Sequence, residues 1–150
     1  MFKIIDCVKT VDGILKEAPD RTQDVLSRRF GIRKNKKQET LEEIGKDYGI
    51  TRERVRQIED KGLKNLKDSP RFSKLQKSFL EIKRFIDKNG GLKREDILES
   101  ALVSRPKDKY YLLFLLKIGD EFFYKPESSL FYSLWATKKE AVDIANRVNN

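Results

Sequence analysis

The sequence contains no histidine, and its only cysteine is Cys7. These absences remove much of the chemistry open to a chain of this size. Imidazole acid–base catalysis, histidine- or cysteine-ligated zinc and Cys-His nucleophiles all need residues that are not there. A lone thiol fits a reducing compartment. Long apolar runs are missing as well. None approaches the roughly 20 residues that span a bilayer, and the Met1 end lacks a basic stretch leading into an apolar core with a small-residue cleavage site. The expectation is a soluble, cytoplasmic protein.

Charge is what the sequence has in quantity. The formal net charge is +9 over 150 residues and the isoelectric point is about 9.6. This balance favours a polyanionic partner, while a basic surface without a partner stays open. The 38% apolar content is enough for one compact domain or two small ones. Residues 1–75 hold 19 basic and 13 acidic side chains, net +6, and residues 76–150 hold 14 and 11, net +3. The densest patch is RRFGIRKNKK, Arg28 to Lys37, with six basic residues and no acid. Gly31 and Asn35 suggest a loop there, either solvated or in contact with phosphates.

Along the chain, Ile4, Ile5, Val8, Val11 and Leu15 predict a first amphipathic helix that stops before Pro19. DRTQDVLSRRF predicts a second, with Asp20 as N-cap and Val25, Leu26 and Phe30 buried. TLEEIGKDYGI opens with a capping box in which Thr40 accepts from the Glu43 amide and Glu43 reaches back to the Thr40 amide. Leu41, Ile44 and Tyr48 form its apolar face, Gly45 allows close approach of another helix, and Gly49 suits a left-handed turn. Thr51 then caps a helix whose buried stripe is Val55, Ile58, Gly62 and Leu66. At 100° per residue, Glu53, Gln57, Asp60 and Lys64 fall opposite that stripe, with Arg56 on one shoulder and Arg54 and Lys61 on the other.

A small residue at Gly45, Gly49 at the turn and Val55 ten residues after Gly45 is the spacing of a helix-turn-helix. The N-terminal part of the second helix would enter the major groove, so Arg52, Glu53, Arg56 and Gln57 are expected at base edges. The mixed signs then have a use: arginine pairs with guanine, glutamine with adenine, and glutamate accepts from cytosine. The bland alternative makes Glu53 a favourable first-turn anion and Arg56 an i,i+4 partner of Asp60.

LSRRFGI, a basic linker and TLEEIGKDYGITRERVRQIEDKGLKNLKDSP together resemble region four of bacterial primary-type sigma factors, the domain that reads the minus-35 promoter element and docks on RNA polymerase. The resemblance covers about residues 14–75, and its most specific stretch is TRERVRQIE. It implies base contacts at Arg52, Glu53 and Gln57, with Arg54, Arg56 and Lys61 on or near the DNA backbone. A phosphate would sit at the helix start formed by Thr40 and Leu41, in keeping with the physics of helix N-termini. Thr51, at the next helix start, joins the expected backbone contacts. The implied partners are double-stranded promoter DNA and the bacterial RNA polymerase core, with no catalytic residue, metal or cofactor. Asp60 and Gly62 depart from the family, which usually has Ala at both; a mid-helix glycine costs roughly 1 kcal/mol. Nothing resembles the family's region two, so the chain is not expected to initiate transcription alone.

After Pro70, Leu75, Phe79, Ile82 and Ile86 predict a helix ended by Asn89, Gly90 and Gly91, and REDILESAL and DKYYLLFLLKIG predict two more. EFFYK and LFYSLW, joined by PESS, predict a hairpin, and Thr137 with Glu140 caps a last helix with Ala141, Ile144, Ala145 and Val148 inward. Three helices and a hairpin are the order of a winged helix, and this half loosely resembles the winged-helix domains of transcription proteins, including the RNA polymerase delta subunit. Tyr110, Tyr111, Phe114, Phe122, Phe123, Tyr124, Phe131, Tyr132 and Trp135 are expected in its core rather than on a base-stacking platform. Its role is expected to be a protein contact or a weak DNA contact.

The expected fold is mostly α, a sigma region-four-like helix-turn-helix domain over residues 1–70 followed by a small α+β winged-helix domain over 71–150, and because each half has its own periodic apolar set and KDSPR supplies a break, residues 76–150 are expected to fold independently. The leading function is a non-enzymatic DNA-binding transcription factor. Three other readings stay open. The sigma-like fold could bind polymerase without reading DNA, or the chain could be part of a longer sigma factor. The pairs Glu42 and Glu43, Glu95 and Asp96, and Asp120 and Glu121 could hold Mg²⁺ in a nuclease.

Overall fold

The computed structural model of the chain describes residues 1–32, 37–127 and 133–148. A 3-10 turn, Ile4–Cys7, leads into α1 (Val8–Leu15), followed by α2 (Asp20–Phe30), α3 (Leu41–Tyr48) and α4 (Arg52–Asp68). A second 3-10 turn, Pro70–Leu75, joins these to α5 (Gln76–Lys88), β1 (Leu92–Arg94), α6 (Glu95–Leu102), α7 (Lys109–Ile118), β2 (Phe123–Lys125), β3 (Leu134–Ala136) and α8 (Lys139–Val148). The protein is mostly helical, with one small sheet. Among the described residues no helix is long and apolar enough to cross a membrane.

Three local expectations change. Because the first turn is 3-10, residues three apart share a face. Ile4 and Cys7 therefore go inward, while Ile5 is exposed. Burial also pushes the Cys7 thiol up to about 12, far from a reactive thiolate. At α2 the cap position belongs to Pro19, not Asp20: Pro19 is extended and its carbonyl accepts from the Gln23 amide at 2.9 Å, which makes Asp20 the first helical residue. In α8, Val142 is buried, Ala141 and Ala145 are half-buried and Ile144 is exposed. The stripe 141, 142, 145 is also helical spacing, rotated from the expected one toward β2 and β3, on which α8 packs.

In the second half, β3 is central and antiparallel to both neighbours, in the order β1-β3-β2. Trp135 sits opposite Lys93 on one side and Tyr124 on the other. Helix, strand, two helices and a strand pair make a winged helix. The short strand β1, three half-buried residues, carries no alternation that marks it in the sequence. Phe114, Phe122 and Trp135 are buried, Tyr110, Tyr111 and Phe123 are half-buried, and Tyr124 is exposed with its ring 4.7 Å from that of Trp135. Phe131, Tyr132 and the loop before them lie outside the described residues, as does the Val148 side chain.

Two buried clusters hold the described residues together. The smaller, Val25, Ile44 and Val55, is bordered by Leu41, Tyr48, Ile50 and Ile58 and is the core of the helix-turn-helix. The larger runs from Ile4, Val11 and Ile14 through Leu26, Phe30 and Leu66 to Phe79, Ile82, Leu112, Phe114 and Trp135. It crosses the point near residue 70 where the sequence suggests a boundary. Long-range polar contacts follow it: the Lys3 ammonium donates to the Ala101 carbonyl at 2.6 Å, and the Tyr111 hydroxyl donates to Asp12 Oδ1 at 2.7 Å. Phe30 of α2 meets Phe114 of α7 edge-to-face, with centroids 5.0 Å apart. Helix α7, the third helix of the winged helix, is thereby packed against α2.

Candidate nucleic-acid interface

The start of α3 follows the expected chemistry. Thr40 Oγ1 accepts from the Glu43 amide at 3.1 Å and the Thr40 amide donates to Glu43 Oε1 at 3.4 Å, closing the capping box. At its end Gly49 is left-handed, with φ +65°. Gly45 is needed for the turn itself, because a Cβ there would lie 2.7 Å from the Ile50 carbonyl oxygen. Thr51 is extended and accepts from the Arg54 amide at 3.1 Å, starting α4. The turn thus aims the N-terminal end of α4 outward.

Helix α4 lies across both α2 and α3. Its inward positions are Val55, Glu59, Gly62 and Leu66, with Ile58 half-buried. Gly62 is where α2 comes closest: a Cβ would lie 2.7 Å from Thr22 Cγ2 and 3.2 Å from Leu26 Cδ1. The glycine that local propensity marks as unfavourable is what lets the two helices touch.

Arg52, Glu53, Arg54, Arg56, Gln57, Asp60, Lys61 and Lys64 are all exposed. The four residues expected at base edges therefore share the N-terminal half of one open helix face. Thr40 and Thr51 are exposed at the two helix starts, and Leu41 is half-buried beside the small cluster. Between the starts lies a groove bordered by Glu42, Lys46, Gly49 and Arg52. The capping carboxylate of Glu43 occupies the α3 start, where a phosphate would have to approach.

Arg56 is engaged on both sides. Its Nε donates to Glu53 Oε2 at 2.9 Å, its Nη2 to Glu53 Oε1 at 2.6 Å and its Nη1 to Asp60 Oδ2 at 2.6 Å. The bonds from Arg56 hold the Glu53 carboxyl below the usual carboxylate range, and those to Glu53 raise Arg56. The i,i+4 pairing raised by the sequence is present, together with an i,i+3 pair. Arg54 Nη1 donates to Gln57 Oε1 at 3.3 Å.

The basic patch of Arg28 to Lys37 divides. Arg28 donates twice to Glu39, at 2.9 and 2.8 Å, and also pairs with Asp47 and Asp24. These contacts, led by the bonds to Glu39, raise the Arg28 pKa further. Arg29 reaches the buried Glu59 at 3.3 Å and the Glu39 carbonyl at 2.9 Å. Arg28 therefore ties α2 to the turn before α3 and to α3, and Arg29 ties it to the same turn and to α4, so both guanidinium groups are already engaged. Arg33, Lys34, Asn35 and Lys36 lie outside the described residues.

The acidic pairs do not assemble a metal site. Glu43 caps α3, Glu95 accepts from the Trp135 indole at 3.0 Å, Asp96 pairs with Arg94 and Asp120 with Lys67. Among the described residues no three candidate ligands cluster.

Comparison with known proteins agrees with this geometry. Residues 14–68 match the family model described as Sigma-70, region 4. Over 77 residues the chain is 38% identical to RNA polymerase sigma factor RpoD of Helicobacter pylori, an alignment covering 51% of this chain and 11% of that protein. Over 71 residues it is 45% identical to RNA polymerase sigma factor SigA of Listeria monocytogenes, covering 47% of this chain and 18% of that protein. The chain thus spans less than a fifth of either relative. The matched segment holds the capping box, the glycine turn and the exposed face of α4, and residues 14–68 form a helix-turn-helix domain similar to sigma-70 region 4.

Proposed function

We propose that the chain reads a minus-35-like promoter element in duplex DNA through the N-terminal half of α4 and acts in contact with RNA polymerase. The observation that carries this reading is the open face holding Arg52, Glu53 and Gln57 at the start of the second helix of a sigma region 4 domain. Side chains of these types match guanine, cytosine and adenine edges. The polymerase contact is carried over from relatives that are RNA polymerase sigma factors. Arg54, Lys61 and Thr51 would meet the DNA backbone, as would Thr40 and Leu41 once Glu43 yields to a phosphate. The winged helix contributes a protein contact, since its third helix is packed inward.

Selection from a randomised duplex pool gives the cognate site. Arg52→Ala and Gln57→Ala are each expected to lose about 1–3 kcal/mol on that site and to relax preference at one base pair. If both variants bind cognate and scrambled duplexes as the parent does, α4 does not read bases. A polymerase contact without DNA reading would then be the surviving function.

A further inference from the structure

Each of the three guanidinium nitrogens of Arg56 faces a carboxylate, with Glu53 at i−3 and Asp60 at i+4. Partners on both sides along the helix hold the guanidinium along the surface rather than projecting from it. The side chains are 48%, 59% and 60% exposed for Arg56, Glu53 and Asp60. Each pair is therefore weak on its own, and a phosphate has to displace it before it can take the guanidinium. No ion pair among the described residues involves Arg52, Arg54, Lys61 or Lys64. Arg56 is thus singled out within its own helix face. Glu53 needs only one arginine to orient it, and Asp60 is the second acid.

We propose that Asp60 is a specificity-determining residue: it withholds Arg56 from DNA phosphates and keeps it beside Glu53. Affinity then depends more on base edges and less on the sequence-independent charge term. The proposal rests on the promoter-reading function above. Asp60 acts through Arg56 and touches no base. A bare negative charge at the same place would also repel DNA, so the discriminating quantity is the coupling between the two residues.

The test is binding of the full chain to the selected duplex and to a scrambled one over a range of salt, for the parent, Asp60→Asn, Arg56→Gln and the double variant. Asp60→Asn is expected to raise scrambled-duplex affinity about two- to five-fold, the equivalent of one exposed pair. It should steepen the slope of log K against log salt by about 0.9 and lower the cognate-to-scrambled ratio. In the Arg56→Gln background each change should shrink by more than half. Equal effects in both backgrounds, or an unchanged ratio, overturn the proposal while promoter reading stands. A parent with no preference between duplexes, or no binding to either, overturns both.

Discussion

Glu53 shows how one side chain separates base reading from surface charge. It is exposed at the outer end of α4 and held ionised by Arg56. On an electrostatic surface, Glu53→Gln would remove a repulsive charge and strengthen binding to every duplex equally. As a base reader it accepts from a cytosine amino group, and the same change weakens the selected site relative to others even as nonspecific affinity rises. The expected outcome is a fall in the cognate-to-nonspecific ratio at fixed salt. An unchanged ratio would take Glu53 out of sequence recognition. The residue was visible in the sequence because it needs only the 3.6 period and a good N-cap at Thr51 to be placed. Arg28 and Arg29 were not, because Glu39, Asp47 and Glu59 lie 11 to 30 residues away and only the folded chain brings them together.

At the scale of elements, Gly62 sets how closely α4 crosses α2. Alanine would gain about 1 kcal/mol of helix propensity. It would also press a methyl to within 2.7 Å of the Thr22 side chain, and overpacking of this kind costs about 1–3 kcal/mol. Gly62→Ala is therefore expected to destabilise, lowering Tm by about 2–4 °C for each net kcal/mol in a chain of this size. A thermal melt decides the sign, and a raised Tm would mean that the helices separate without penalty. Elements fixed by neighbouring residues were legible in advance: the α3 capping box, the Gly49 turn and the α4 cap all close within three or four positions. Elements that depend on distant partners were not. Strand β1 is three residues long and exists through pairing with β3, and the rotation of α8 is set by the sheet it covers.

At the scale of the whole molecule, the larger buried cluster draws on residues from both 1–70 and 71–150. A fragment beginning at Phe72 would leave Leu75, Phe79, Ile82 and Phe114 without Ile4, Val11, Ile14 and Phe30. Losing that many core partners exceeds the typical margin of a small domain. The fragment is expected to lack a cooperative melt, whereas the full chain unfolds in a single transition. A sharp melt from the fragment would establish two independent domains. The same contacts bear on how the chain comes off the ribosome. Lys3 and Ala101 are 98 positions apart, and Asp12 and Tyr111 are 99 apart. At about 5–20 residues per second, α7 follows the 3-10 turn Ile4–Cys7, against which it packs, by on the order of 5–20 s. During that interval the first turn, with Ile4, lacks its α7 neighbour, and newly made chains stalled before α7 are expected to be the form of this protein most prone to aggregate.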